Sequence, residues 1–151
     1  MKPRETSVFT RLKERVTRPT DRFERVENGL GEGWPDCNYC MVGSEGWIEI
    51  KAPHEPVRPD TPLFASNHQV SIEQINWLHN QHMAGGNGWL FIATEKRLMI
   101  IHGGRVAQLG RKVNTMTVAQ LIKCAAWHVE LPVKDFEKWF DLRELLILQK
   151  G

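Results

Sequence analysis

Apolar and polar positions alternate along this chain in two rhythms, one helical and one strand-like. Val8, Phe9, Leu12 and Val16 fall at helical spacing, which predicts a first helix beginning near Glu5 and stopped by residues 17–20, where Pro19 sits. Residues 23–27 alternate as a first strand, and glycines 29, 31 and 33 then call for a loop with unusual backbone angles. Two further strand-like segments, 36–42 and 46–51, flank a turn at Gly43-Ser44-Glu45. Prolines 53, 56, 59 and 62 make the next stretch irregular. Ser71 stands in a helix-capping position with Glu73 and Gln74 in the first turn, Ile72, Ile75 and Leu78 form a stripe near His79, and Gly85-Gly86 closes the helix. Residues 89–93 read as a buried strand and 97–102 as another, with Thr94-Glu95-Lys96 turning between them.

Beyond Gly110 the pattern is mostly helical, over 117–127 and again within 133–148, with 105–114 expected to be a flexible connection. Strands with helices before, within and after them predict an α/β domain, a mixed sheet flanked by helices. Residues 1–110 are expected to form its core and 111–151 a helical C-terminal extension packed on the same domain. There is no internal repeat and no low-complexity segment.

Composition narrows the class without naming a function. Apolar residues are 41% and charged residues 25% of the 151, ordinary for a globular domain with a real core. No run approaches the roughly 20 apolar residues of a membrane span, and Met1-Lys2-Pro3-Arg4-Glu5 has charge with no apolar stretch behind it, unlike a signal peptide. With three cysteines, Cys37, Cys40 and Cys124, no disulfide framework is expected, so the expected location is the cytoplasm, without a membrane partner. The net charge of +2 says little by itself. Residues 1–25 are richer in Lys and Arg than in Asp and Glu, which fits either an arm that meets phosphates or a solvated helix face.

Candidate chemistry concentrates in Pro35-Asp36 and Glu49-Ile50-Lys51. On a strand over 46–51, Glu49 and Lys51 share a face while Ile48 and Ile50 take the other. Asp36 opens the preceding strand, so the hairpin can bring it beside Glu49. Two carboxylates together repel unless a cation lies between them, and hard oxygen ligands suit Mg²⁺ or Mn²⁺. Lys51 is placed to orient or activate a water and to stabilise charge on a phosphate. The competing reading is an exposed hairpin with an ordinary salt bridge. Trp47, Ile48 and Ile50 around the pair make a purely solvated face less natural.

Pro35-Asp36 with Glu49-Ile50-Lys51 resembles the signature of the PD-(D/E)xK nucleases. The approach from Glu27-Asn28-Gly29 to Gly33, the segment Gly46 to Lys51, and the block from Ser71 to Leu78 followed by Ala84-Gly85-Gly86 are similar to its VRR-NUC and Holliday-junction-resolvase branch. The resemblance spans about residues 5–102. It implies a restriction-endonuclease-like core of order α-β-β-β-α-β and a Mg²⁺- or Mn²⁺-dependent endonuclease for DNA. A branched substrate and a phage or mobile-element origin are expected with it. The implied catalytic residues are Asp36, Glu49, Lys51 and Gln74, and the implied metal ligands are Asp36, Glu49, Glu5 and Ile50. A first-helix glutamate is also part of the family's site; Glu5 is preferred for it, with Glu14 and Glu27 as competitors. The alternative is a non-catalytic nucleic-acid-binding or assembly module on the same fold, or a subunit of a larger machine.

Other residues read more plainly. Cys37-Asn38-Tyr39-Cys40 has half the spacing of a zinc site, but its second half is missing, and small buried side chains on a strand are the better reading. His79 and His82 suit a helix surface, and His54 a loop. Val133, Phe136, Trp139, Phe140, Leu142, Leu145, Leu146 and Leu148 form a stripe for core packing or for a homodimer, which cutting two strands of a junction would favour.

Overall fold

A computed structural model describes residues 2–26, 31–65 and 68–148. The chain runs α1 (Pro3–Val16), β1 (Arg22–Arg25), β2 (Cys37–Met41), β3 (Ser44–Lys51), α2 (Ile72–Met83), β4 (Asn87–Ala93), β5 (Arg97–His102), α3 (Gly103–Leu109), a 3₁₀ turn (Gly110–Thr115), α4 (Val118–Cys124), β6 (Trp127–Glu130) and α5 (Glu137–Ile147). From α1 to β4 this is the α-β-β-β-α-β order expected from sequence. Among the described residues the strands form one six-stranded sheet in the order β1-β2-β3-β4-β5-β6. Every neighbouring pair is antiparallel except β3 and β4, whose parallel crossover carries α2. The mixed α/β class read from the sequence is the class the chain adopts.

Two apolar layers lie on opposite faces. Phe9, Leu12 and Val16 of α1 and Trp139, Leu142 and Leu146 of α5 cover Tyr39, Ile48, Ile50 and Phe91. Ile75 and Leu78 of α2, Val106 of α3, Val113 and Leu121 cover Leu90, Ile92, Met99 and Ile101. Burial on both sides explains why β4, buried throughout, is apolar from Trp89 to Ala93. The α2 face changes character along the sheet. It is apolar under β4 and β5, but at β2 and β3 it carries Asn38, Trp47, Glu49 and Lys51.

The hairpin that aligns β2 with β3 is tighter than residues 43–45 suggest. Ser44 already pairs with Met41, leaving Val42 and Gly43 as the whole turn, both at positive φ (52° and 76°). That conformation matches the strand twist, and Gly43 adopts it without the crowding a side chain brings.

Two sequence expectations are corrected. Residues 105–114 are not a flexible connection: they fold as α3 and the 3₁₀ turn, because Val106 and Val113 bury completely against the α2 layer. The helix expected over 117–127 ends at Cys124, and Trp127 opens β6, where its ring packs on Trp139 and its indole N–H donates to the Lys138 carbonyl (3.0 Å). The segment beyond residue 110 therefore supplies a strand as well as helices.

Buried polar contacts tie α5 back to the first third of the chain. Arg143 is 6% exposed; it donates to the Val16 carbonyl (2.8 Å), touches Met41 Sδ (3.5 Å) and pairs with Asp21. The Tyr39 hydroxyl donates to the Leu146 carbonyl (2.8 Å) and accepts from the Trp89 indole (3.0 Å). No helix among the described residues is long and apolar enough to cross a membrane.

Candidate active site

The register Cys37↔Ile48, extended by one residue, sets Asp36 across from Glu49 on the α2 face. Asp36 Oδ2 accepts the Ile50 N–H (2.7 Å), which clamps the start of β2 to the end of β3. Glu49 is 4% exposed. Its Oε2 accepts from Gln74 Nε2 (3.0 Å) and lies 3.5 Å from Lys51 Nζ, while its Oε1 is buried with no hydrogen-bond partner. Gln74 reaches this point because it is also part of a capping box. Its backbone N–H donates to Ser71 Oγ (3.1 Å) and its Oε1 accepts the Ser71 N–H (2.9 Å), so the start of α2 is anchored and the carboxamide is aimed at Glu49.

Glu5 enters from the opposite helical layer. It lies in the first turn of α1, is buried, and accepts the Lys2 N–H through Oε1 (3.3 Å). The next residue back, Arg4, donates to the Ala52 carbonyl just past β3 (2.7 Å) and so holds the helix start to the strand end. Glu14 lies on an exposed part of α1, roughly 13 Å further along the helix axis at its usual rise. Glu27, the third candidate, lies outside the described residues. Ile50 turns its side chain into the core beneath α1 and has only its main-chain oxygen to offer a cation.

The electrostatics follow from this crowding. Burial pushes the Glu49 carboxyl well above the usual carboxylate range, the charges of Asp36 and Glu5 add to the rise, and Lys51 opposes it. Burial likewise raises Asp36, with Glu5 adding to the effect against the Ile50 N–H and Lys51. Asp36 and Glu49 thus compete to remain charged in one place.

No family model matches this chain, and no curated protein matches it. Among solved structures, it is similar to Hjc, a Holliday junction resolvase from Archaeoglobus fulgidus. The likeness covers 67% of this chain and 74% of that one at 16% identity, with a TM-score of 0.44. So loose a likeness carries no assignment.

Two features of the surroundings escaped sequence reading. His68 lines a cleft of about 270 Å³ with Lys2, Pro3, Arg4, Glu5 and Ala52, and its Nδ1 is buried without a hydrogen-bond partner. Burial and the positive charge of Lys2 hold its pKa below the usual histidine value. Nothing in its sequence neighbourhood sets this histidine apart. The second feature is a cluster of Trp34, Trp47 and Trp77, whose members are scattered along the chain and meet only through the fold.

The donors suit a divalent cation. Glu49 presents an orphaned buried oxygen, and Asp36 and Glu5 supply further hard oxygens whose mutual repulsion a cation would relieve. Among the described residues no three His, Cys, Asp or Glu side chains are placed together so as to hold a metal ion, so the fit rests on donor chemistry. His79 is exposed and His82 packs edge-on against His102, away from these acids. His54 pairs with Glu95 (3.4 Å). Cys37 is buried and Cys40 half-buried on β2, and both are free thiols.

Proposed function

We propose that this protein is a Mg²⁺- or Mn²⁺-dependent endonuclease that hydrolyses phosphodiester bonds in DNA. The observation that carries the reading is the Glu49 carboxylate: buried, short of one hydrogen bond, and set among Asp36, Glu5, Lys51 and Gln74. A buried acid short of a partner is costly, and structural packing alone offers no return for two, Glu49 and Glu5, beside the half-buried Asp36.

Asp36, Glu49 and Glu5 would hold the cation, with the Ile50 carbonyl as the main-chain donor. The metal, when bound, supplies Lewis-acid polarisation of the phosphate and a water of lowered pKa. Lys51 keeps its ammonium beside Glu49, where it can steer a phosphate oxygen or orient the attacking water. Gln74 holds the Glu49 carboxylate in place through the cap of α2. The nearby basic residues Lys2 and Arg4 favour a polyanion over a neutral substrate. A branched substrate and a homodimer belong to the same proposal. Exposed Phe136 and Phe140 on α5 would suit a contact between copies.

The test is incubation with linear duplex, single-stranded, flap and four-way-junction DNA in Mg²⁺, Mn²⁺ or EDTA, beside folded Glu49→Ala and Lys51→Ala variants. Metal-dependent cutting that both substitutions abolish is the expected result, with paired nicks at the junction identifying resolvase activity. Tight junction binding without cutting in any metal would replace the reading with that of a binding module. Light scattering during size-exclusion chromatography gives the oligomeric state.

A further inference from the structure

Trp34, Trp47 and Trp77 meet with ring centroids 5.3–5.5 Å apart, each edge or tilt against the next. Their placement is built rather than incidental. Gly33 sits at φ +85°, and a Cβ there would lie 2.5 Å from the Glu73 carbonyl oxygen, so the loop before β2 is pressed onto the first turn of α2. That close approach lays Trp34 over Trp47 of β3 and Trp77 of α2. Trp34 is 37% exposed and the other two are half-buried. Trp89 and Trp127 spend their indole N–H groups inside the fold, but among the described residues those of Trp34, Trp47 and Trp77 donate no hydrogen bond.

The cluster is continuous with the acidic site. Trp34 is two residues before Asp36. Trp47 is two residues before Glu49 and on the same face, roughly 6.6 Å along the strand. Whatever rests on these rings is therefore adjacent to whatever Glu49 and Lys51 engage. If the acids and lysine engage a phosphate, as in the reading above on which this inference rests, the next group along the strand is a nucleoside. A paired base inside a duplex has both faces covered by its neighbours. An unpaired base has a free face, and indole rings stack on any base.

We infer that Trp34, Trp47 and Trp77 form a stacking platform for an unpaired nucleobase flanking the phosphate at the acidic site. The preferred substrate is then DNA with single-stranded or unstacked nucleotides beside the cut, as at a flap, a frayed end or a junction centre.

Anisotropy of a short labelled oligothymidylate and of a blunt duplex, at low salt in EDTA, measures the platform apart from cleavage. Trp34→Ala is expected to weaken oligothymidylate binding about tenfold and duplex binding far less, with Trp34→Phe recovering most of the loss. Circular dichroism establishes that each variant is folded, and the more enclosed Trp77→Ala gives an independent second reading. Undiminished oligothymidylate binding in both alanine variants, equal losses on both DNAs, or no recovery with Phe would overturn the inference. A wild-type protein that shows this Trp34-dependent preference but cuts nothing in Mg²⁺ or Mn²⁺ supports the platform and sinks the nuclease reading. One that cuts through Glu49 while Trp34→Ala leaves its preference for unpaired DNA untouched does the reverse.

Discussion

Gln74 Nε2 donates to Glu49 Oε2 across 3.0 Å while the same carboxamide accepts the Ser71 N–H, so one side chain couples the start of α2 to the acid of β3. The two duties can be separated. Gln74→Glu keeps an acceptor for the cap but puts a second carboxylate against Glu49. The metal-free variant is expected to lose about 1–3 kcal/mol at neutral pH and to recover most of it in acid, as the carboxyls protonate. Urea unfolding at two pH values reads this. An equal loss at both would assign the damage to the cap.

Stability should fall with rising pH in the absence of metal. Glu49 and Asp36 both titrate above their ordinary range when folded. The stability they contribute is complete below the unfolded carboxylate values, about pH 4, and drains away as pH climbs through the folded ones. Asp21 works in the opposite sense: its hydrogen bond to Arg143 holds it low, so its contribution is present above the unfolded value and is lost only in stronger acid. Glu49→Gln should flatten the alkaline side, raising the melting temperature at about pH 8 by about 3 °C for each kcal/mol relieved. A variant with the wild-type pH slope would show that Glu49 is not the group responsible.

Divalent cations should reverse that alkaline loss. At a hundredfold excess over Kd, Mn²⁺ is expected to add about 2.7 kcal/mol to the wild type. Glu5→Gln should weaken Mn²⁺ binding at least about tenfold, whereas Glu14→Gln on the exposed turn of α1 should leave it as it was. Calorimetric titration of both variants decides between the two glutamates, and the reverse pattern would move the site to Glu14.

Arg143→Met removes the cation from a buried pair and strands Asp21. The expected cost is about 3–5 kcal/mol, measured by urea unfolding near neutral pH. A loss under about 1 kcal/mol would mean that water takes over the role of the guanidinium.

The acidic strand was legible because its alternation is strict: Ile48 and Ile50 against Glu49 and Lys51 admits one division of faces. The Ser71 cap was legible because its partners lie within one turn. β6 was not, since Leu121 and Trp127 continue an apolar spacing that no glycine or proline interrupts, and only the open edge of β5 turns that segment into a strand. Residues 105–114 misled for the opposite reason: their few apolar positions are outnumbered by polar ones, and the helices form because the α2 layer offers a place to bury them. The tryptophan cluster has no local signature at all, being assembled from a loop, a strand and a helix. Glu5 was already preferred over Glu14 from the sequence, and α1 laid across the sheet buries Glu5 while leaving Glu14 exposed.

The sheet's strand order is also the chain's order, while α5, the last helix, reaches back to Val16, Tyr39 and Met41. During synthesis, at about 5–20 residues per second, the acids and their glutamine all leave the ribosome seconds before the helix that seals the other side of their strands. A nascent chain that stops short of α5 holds the candidate site's acids, lysine and glutamine on a sheet whose far face is covered by α1 alone. The closing of that face is therefore completed late, by residues that carry none of the candidate chemistry.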